Sequence, residues 1–150
     1  MFDQWAANWG ISPAAITDLR IKLTTDTISG KAGTPEAVVQ QAIRLEASRR
    51  GMRLWRNNNG ACVDNTGRMV RYGLGNDSSK VNARIKSSDL VGITPVQVAG
   101  QTLGIFTAIE VKRGGWRYKG TPREKAQLAW LELVTAMGGI GKFVTGVGDL

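Results

Sequence analysis

The stretch Ile105-Phe106-Thr107-Ala108-Ile109-Glu110-Val111-Lys112 decides how this chain folds. β-Branched and aromatic residues predict a strand, and apolar side chains occupy both of its faces until the charged end. A strand of that kind lies inside a sheet with cover above and below, so it is expected to be central. Two helices are placed to cover it. Thr34-Pro35-Glu36 predicts a start, with Thr34 as N-cap and Pro35 at N1, for a helix running to about Arg50 and stopping at Gly51. At about 100° per residue, Val38, Val39, Ala42, Ile43 and Leu45 form one broad apolar arc. Glu46 falls inside the arc; Glu36 and Gln40 lie at its edge. A carboxylate on a buried stripe needs a partner, a proton or a metal. Thr121-Pro122 repeats the start signal for a helix to Met137, ended by Gly138-Gly139. Its expected stripe is Ala126, Trp130, Leu133, Val134 and Met137, with Gln127 beside it next to Leu131.

Between the helices, Arg53-Leu54-Trp55-Arg56 predicts a strand broken by Asn57-Asn58-Asn59-Gly60. Residues 61–64 and 68–72 flank Asn65-Thr66-Gly67 as a hairpin. Residues 73–86 are polar and predict a long loop. Asp89 to Ile93 begins a strand that residues 96–99 continue beyond Pro95, residues 100–104 turn, and Lys142 to Thr145 makes a last strand. The fold class is α/β: a central mixed β-sheet flanked by helices. Residues 1–33 read as a short helical N-terminal arm and linker, residues 34–150 as the main domain. In the arm, Phe2, Trp5 and Trp9 share helical spacing, Ser12-Pro13 opens a second helix through Leu23, and residues 24–34 read as the linker. Whether the arm packs on the main domain or on a partner subunit stays open.

The 150 residues carry 20 Lys and Arg against 12 Asp and Glu, a net charge of +8. Such an excess points to a polyanionic partner, most often nucleic acid, or to a merely soluble basic surface. There is no histidine, which excludes imidazole bases, Ser-His-Asp triads and Cys/His zinc sites. The single cysteine, Cys62, forms no internal disulfide and has no histidine base to activate it. The expected setting is reducing and cytoplasmic, in a bacterial or phage-infected cell. No apolar run is long enough for a membrane span, and the first residues lack the pattern of a secretory signal. Chemistry is left to Asp, Glu, Lys, Arg, Ser, Thr, Tyr or a metal held by oxygen.

Glu110 and Lys112 project from one face of the central strand. If the strand beginning at Asp89 pairs with it through the turn, Asp89 and Glu110 converge at one end of the sheet. Two such carboxylates repel unless a cation lies between them, and a few oxygen ligands open to water suit Mg²⁺ or Mn²⁺. The metal would activate water, and Lys112 would orient it or offset developing charge. The plain alternative is a Glu110–Lys112 ion pair at a strand end, since Glu-x-Lys is common by chance.

The set Glu36, Asp89, Glu110-Val111-Lys112 and Gln127 resembles the PD-(D/E)xK nuclease superfamily. It is most similar to the VRR-NUC domain in its stand-alone phage and prophage form. The likeness covers about residues 34–148, and its landmarks follow in order: Glu36-Ala37-Val38-Val39-Gln40, Leu54-Trp55-Arg56-Asn57-Asn58, Ser88-Asp89-Leu90-Val91-Gly92-Ile93, the Glu-Val-Lys tripeptide, Ala126-Gln127-Leu128 and Gly138-Gly139. Ser88 stands where a proline is common. The resemblance implies a restriction-endonuclease-like core, need of Mg²⁺ or Mn²⁺, cleavage of phosphodiesters and a homodimer similar to Holliday junction resolvases. It implies Asp89, Glu110 and the Val111 position as metal ligands, Lys112 as the catalytic lysine, Gln127 in support and Glu36 as the first-helix acid. Periodicity keeps Glu46 as a second candidate for that acid.

The basic residues then have a use, because Lys and Arg around a cleft bind phosphates whatever the sequence. Arg53, Arg56, Asn58, Arg113, Trp116, Arg117 and Lys119 are the expected DNA contacts. Trp116 and Tyr118 either stack on exposed bases or cap the core. Arg56, Asn57 and Asn58 either line the cleft or form a strand end and turn. The expected function is a metal-dependent, structure-selective DNA endonuclease acting on branched DNA. The rivals are a non-catalytic basic DNA-binding protein on a nuclease fold and a phage nuclease or nickase acting on DNA without junctions.

Overall fold

A computed structural model describes residues 2–25 and 30–150. Residues 26–29 of the expected linker, and the side chain of Phe2, lie outside the described residues. The elements are α1 (Phe2–Asn8), α2 (Pro13–Thr25), α3 (Glu36–Arg49), β1 (Arg53–Arg56), β2 (Gly60–Val63), β3 (Met69–Tyr72), α4 (Ser79–Arg84), β4 (Leu90–Val98), β5 (Gln101–Val111), α5 (Pro122–Ala136) and β6 (Ile140–Val144), followed by a 3₁₀ turn at Val147–Asp149. A four-stranded sheet runs β1-β4-β5-β6, antiparallel except for the parallel β5–β6 pair. It is therefore mixed, and the decisive strand is interior, as expected.

Alternation along β5 sorts the core into two layers. Ile109 and Val111 face one side and join Val39, Ile43, Ala47, Leu54, Leu90 and Val144. Ala108 faces the other side and joins Leu128, Leu131, Val134 and Phe143 beneath α5. Burying a Leu, Ile or Phe side chain contributes roughly 1.5–3 kcal/mol, so these two layers dominate the stability of the sheet. Ile21 of α2 packs against the second layer, and the Gly30 amide donates to Thr145 Oγ1 at 3.1 Å. The arm thus packs on the main domain through α2.

Several local expectations are corrected. The β4–β5 turn is Ala99-Gly100, both at positive φ, instead of residues 100–104. A two-residue turn of that kind matches strand twist and lets pairing run to Val98 and Gln101. β4 passes unbroken through Pro95, which lies beyond the end of β1, where the other edge of the strand is open. The helix over residues 36–49 begins one residue later than expected: Pro35 is the N-cap, and the Thr34 hydroxyl donates to the Lys31 carbonyl at 2.8 Å. Its buried face is Val39, Ile43 and Ala47, whereas Val38 and Leu45 are exposed. In α5 the buried face includes Glu124, Gln127, Leu128 and Leu131, while Leu133 and Met137 are exposed. Residues 73–86 contain α4, capped by Ser78 accepting from the Val81 amide at 3.1 Å. Among the described residues no helix is long and apolar enough to cross a membrane.

Candidate active site

Cross-strand register builds the site. Leu90 pairs with Ile109, so Asp89 and Glu110 are the next two residues along the same ladder and share a face. Asp89 is fixed by its own neighbours. Its Oδ2 accepts from the Val111 amide at 3.0 Å, and its carbonyl accepts from the Asn57 amide at 2.8 Å. Glu110 is 2% exposed, which forces its carboxylate to find partners within the fold. Lys112, two residues on, donates from Nζ to Glu110 Oε1 and to Gln127 Oε1, each at 2.9 Å. Gln127 Nε2 closes the triangle by donating to Glu110 Oε1. Gln127, 1% exposed, is thus at the centre of the buried face of α5. The Lys112 ammonium also lies 5.8 Å from the Trp116 ring centre and 5.5 Å from that of Phe143. Aromatic faces attract a cation at that range.

The charges do not balance locally. Burial, then the charge of Asp89, pushes the Glu110 carboxyl up to about 7, despite the opposing pull of Lys112 and Arg123. Glu36, first residue of α3, keeps an exposed side, yet partial desolvation and then Asp89 raise its carboxyl too. Glu36 is held in this neighbourhood by two hydrogen bonds between the chain before α3 and the chain after β5. The Gly33 amide donates to the Gly114 carbonyl at 3.2 Å, and the Gly114 amide to the Thr34 carbonyl at 3.0 Å.

Among the described residues no three acidic or sulfur side chains surround one point. The oxygen set suits a cation that keeps several waters and takes one or two carboxylates, which is the habit of Mg²⁺. Asp89 and Glu110 fit such a group, since each carboxylate keeps one oxygen outside the hydrogen bonds just described. Glu46 is not brought to them. It pairs with Arg50 at 2.9 Å and Arg49 at 3.7 Å, and it lies ten residues, about 15 Å, along α3 from Glu36. Its role is to hold Arg50, which donates to the carbonyls of Val147 and Leu150.

The expected DNA contacts separate into three groups. Arg56 and Asn58 lie beside Asp89 and line one cleft with it. Arg113, Arg117 and Lys119 are exposed on the loop after β5. Arg53 sits opposite Ile93, three residues or about 10 Å of strand from Arg56, and donates to the Met52 carbonyl. Trp116 and Tyr118 pack against Phe143 in the core, with the Trp116 and Phe143 ring centres 4.8 Å apart. The indole of Trp116 donates to Glu124 Oε1 at 3.0 Å, while the other oxygen of Glu124 accepts from the amides of Lys119 and Thr121. Burial opposes charge on Glu124, but these bonds outweigh it and hold the carboxyl below its usual range. Glu124 therefore ties the loop to α5. Sequence reading passed over it, although Thr121-x-x-Glu124 is a capping-box signature. Arg123, whose charge reaches Glu36 and Glu110, carried no such signal.

No family model, curated protein or solved structure matches this chain.

Proposed function

We propose that the protein is a metal-dependent endonuclease that hydrolyses phosphodiesters in branched DNA, on a restriction-endonuclease-like core. One observation carries the reading: Asp89 and Glu110 meet in register at a sheet end, with Lys112 held behind them by Glu110 and Gln127. A surface ion pair would leave Lys112 in water; here it is 9% exposed. A bound Mg²⁺ or Mn²⁺, held by Asp89 and Glu110 with the main chain at Val111, would supply a Lewis acid and a water of lowered pKa. The chain's own part is to place charge. Lys112 offsets negative charge as water adds to phosphorus and the bond to the leaving oxygen breaks, leaving a 5′-phosphate. Gln127 fixes where the ammonium sits, because its amide is bonded to both members of the pair. Glu36 adds a third carboxylate at the edge, and Arg56, Arg113, Arg117 and Lys119 supply affinity for the backbone. Cutting two strands of a junction calls for two copies, and the exposed Trp5 and Trp9 offer one surface for a homodimer.

The test is cleavage of a labelled four-way junction beside a matching linear duplex, in Mg²⁺, Mn²⁺ and EDTA, with Lys112→Ala as control. Paired symmetric cuts in the junction, absent in EDTA and in the variant, are expected. Cutting of the duplex alone replaces the junction reading with a simpler nuclease. A folded protein that binds both substrates and cuts neither is a binding module.

A further inference from the structure

Beside Asp89 lies a polar cleft of about 410 Å³, within the range of small-ligand sites. Its walls come from Gln40 of α3, Arg56 at the end of β1, Asn57, Asn58 and Asn59 just after it, and Tyr72 at the end of β3. Two of these wall residues, Asn57 and Asn59, and two side chains behind them, Ser87 and Asn76, are tied down by hydrogen bonds. Asn57 Nδ2 donates to Ser87 Oγ and the Ser88 carbonyl, both at 2.9 Å. Asn59 Nδ2 donates to Ser87 Oγ at 2.7 Å and the Leu74 carbonyl at 3.2 Å. Asn76 Nδ2 donates to the carbonyls of Gly60 and Tyr72 at 2.6 and 2.9 Å, pinning the open end of the β2–β3 ribbon. Asn58 stands between two immobilised neighbours, yet its own amide is unbonded. Among the described residues the side chains of Gln40, Arg56 and Tyr72 are likewise without a hydrogen-bond partner.

The aromatic wall is built in. Tyr72 pairs with Gly60, and a Cβ at Gly60 would lie 2.5 Å from the Tyr72 hydroxyl oxygen and 2.7 Å from its ring carbon. A side chain at position 60 would push the phenol from its place over that strand, and the ring is half exposed where it lines the cleft. The site thus offers a flat ring, two free amides each with a donor and an acceptor, and a guanidinium, all next to one of the two paired carboxylates. An unpaired nucleotide matches this set: base on ring, base edge on amide, phosphate on arginine. A small organic acid would satisfy Arg56 but leave ring and amides idle, and a base inside a duplex has both faces stacked on its neighbours and none to offer the ring.

We infer that this cleft receives one unpaired nucleotide flanking the scissile phosphate, with Tyr72 stacking on its base and Asn58 and Gln40 hydrogen-bonding its edge. The inference rests on the nuclease reading of Asp89, Glu110 and Lys112 and adds what that reading lacks, a contact to a base.

An abasic scan tests it. Junction or flapped DNA carries a single tetrahydrofuran spacer, moved one nucleotide at a time across the cut site. Binding is read in EDTA by fluorescence anisotropy, so that it is independent of chemistry, and cleavage in Mg²⁺ is read separately. At one position next to the cut, the spacer is expected to weaken binding about tenfold, the usual scale for one stacked base. Tyr72→Ala should weaken binding of intact DNA by a similar factor and make it indifferent to the spacer; Asn58→Ala should do so in part. A flat scan with wild-type protein that binds and cuts overturns the inference and leaves the nuclease reading standing. Spacer sensitivity that survives Tyr72→Ala overturns it equally. DNA neither bound nor cut by folded protein removes the nuclease reading itself.

Discussion

Asp89 and Glu110 are two carboxylates that the metal-free fold does not fully neutralise, and that imbalance has a measurable sign. Glu110 titrates near 7 in the folded chain because of burial and Asp89, against an ordinary value of 4.5. The folded state therefore holds this proton more tightly than the unfolded state. The resulting stabilisation is complete below 4.5 and is lost as pH rises through about 7. A gap of that size corresponds to roughly 3 kcal/mol. In EDTA, the melting temperature should fall between pH 5 and pH 8. Asp89→Asn removes one of the two causes while keeping an oxygen for the Val111 amide. It should flatten that fall and stabilise the metal-free protein at pH 8 by about 1 kcal/mol, while abolishing cleavage. Manganese should raise the melting temperature of the wild type and not of the variant, because only binding to the native state stabilises it. A variant that melts below the wild type at pH 8 in EDTA would sink this account. The pair itself was legible in the sequence, since one hairpin register is enough to bring Asp89 opposite Glu110. The tie between Lys112 and Gln127 was only half legible: periodicity placed Gln127 beside a stripe, whereas it lies in the middle of one.

That displacement is a lesson about elements. Counting apolar residues along α5 pulled the stripe toward Leu133 and Met137, because two of the buried residues, Glu124 and Gln127, are polar and satisfied by hydrogen bonds. The same count along α3 gave weight to Val38 and Leu45, although only Val39, Ile43 and Ala47 meet the sheet. α4 was invisible for a different reason: it is six residues long and buries nothing, so it has no periodic signal. The aromatic loop after β5 reads alike whether it caps a core or binds bases, and only the packing of Trp116 on Phe143 assigns it to the core. What elements contribute to the site is relative placement, and the contact between residues 33–34 and Gly114 is one joint that sets it. A Cβ at Gly114 would run into the Lys31 carbonyl and lie 3.1 Å from Thr34 Cβ. Gly114→Ala should cost about 1–3 kcal/mol in a urea titration, with an unchanged slope. It should also lower cleavage by freeing the start of α3 and with it Glu36. Full activity in a destabilised Gly114→Ala protein would show that Glu36 needs no such anchoring.

At the scale of the molecule, the excess of eight positive charges acts only where geometry lets phosphates reach it. Composition points toward a polyanion partner, but not to which cations would face it, because strand neighbours such as Arg53 and Arg56 are alike in sequence and differ in place. Arg56 opens onto the cleft beside Asp89, whereas Arg53 lies about 10 Å along β1 and is engaged with the Met52 carbonyl. Binding of duplex DNA releases condensed counterions, so the affinity should fall linearly with salt on a double-logarithmic plot. Each phosphate contact contributes about 0.9 to the slope, which makes the slope a count of engaged cations. Arg56→Ala should lower the slope by about one and weaken binding at every salt concentration, whereas Arg53→Ala should leave it within error. Equal losses from both would mean that DNA runs along the whole of β1. A slope untouched by either would move the binding face away from the Asp89 end of the sheet, to the loop of Arg113, Arg117 and Lys119 on the far side of β5. The measurement thus decides, without any cleavage, which edge of the paired carboxylates the nucleic acid approaches.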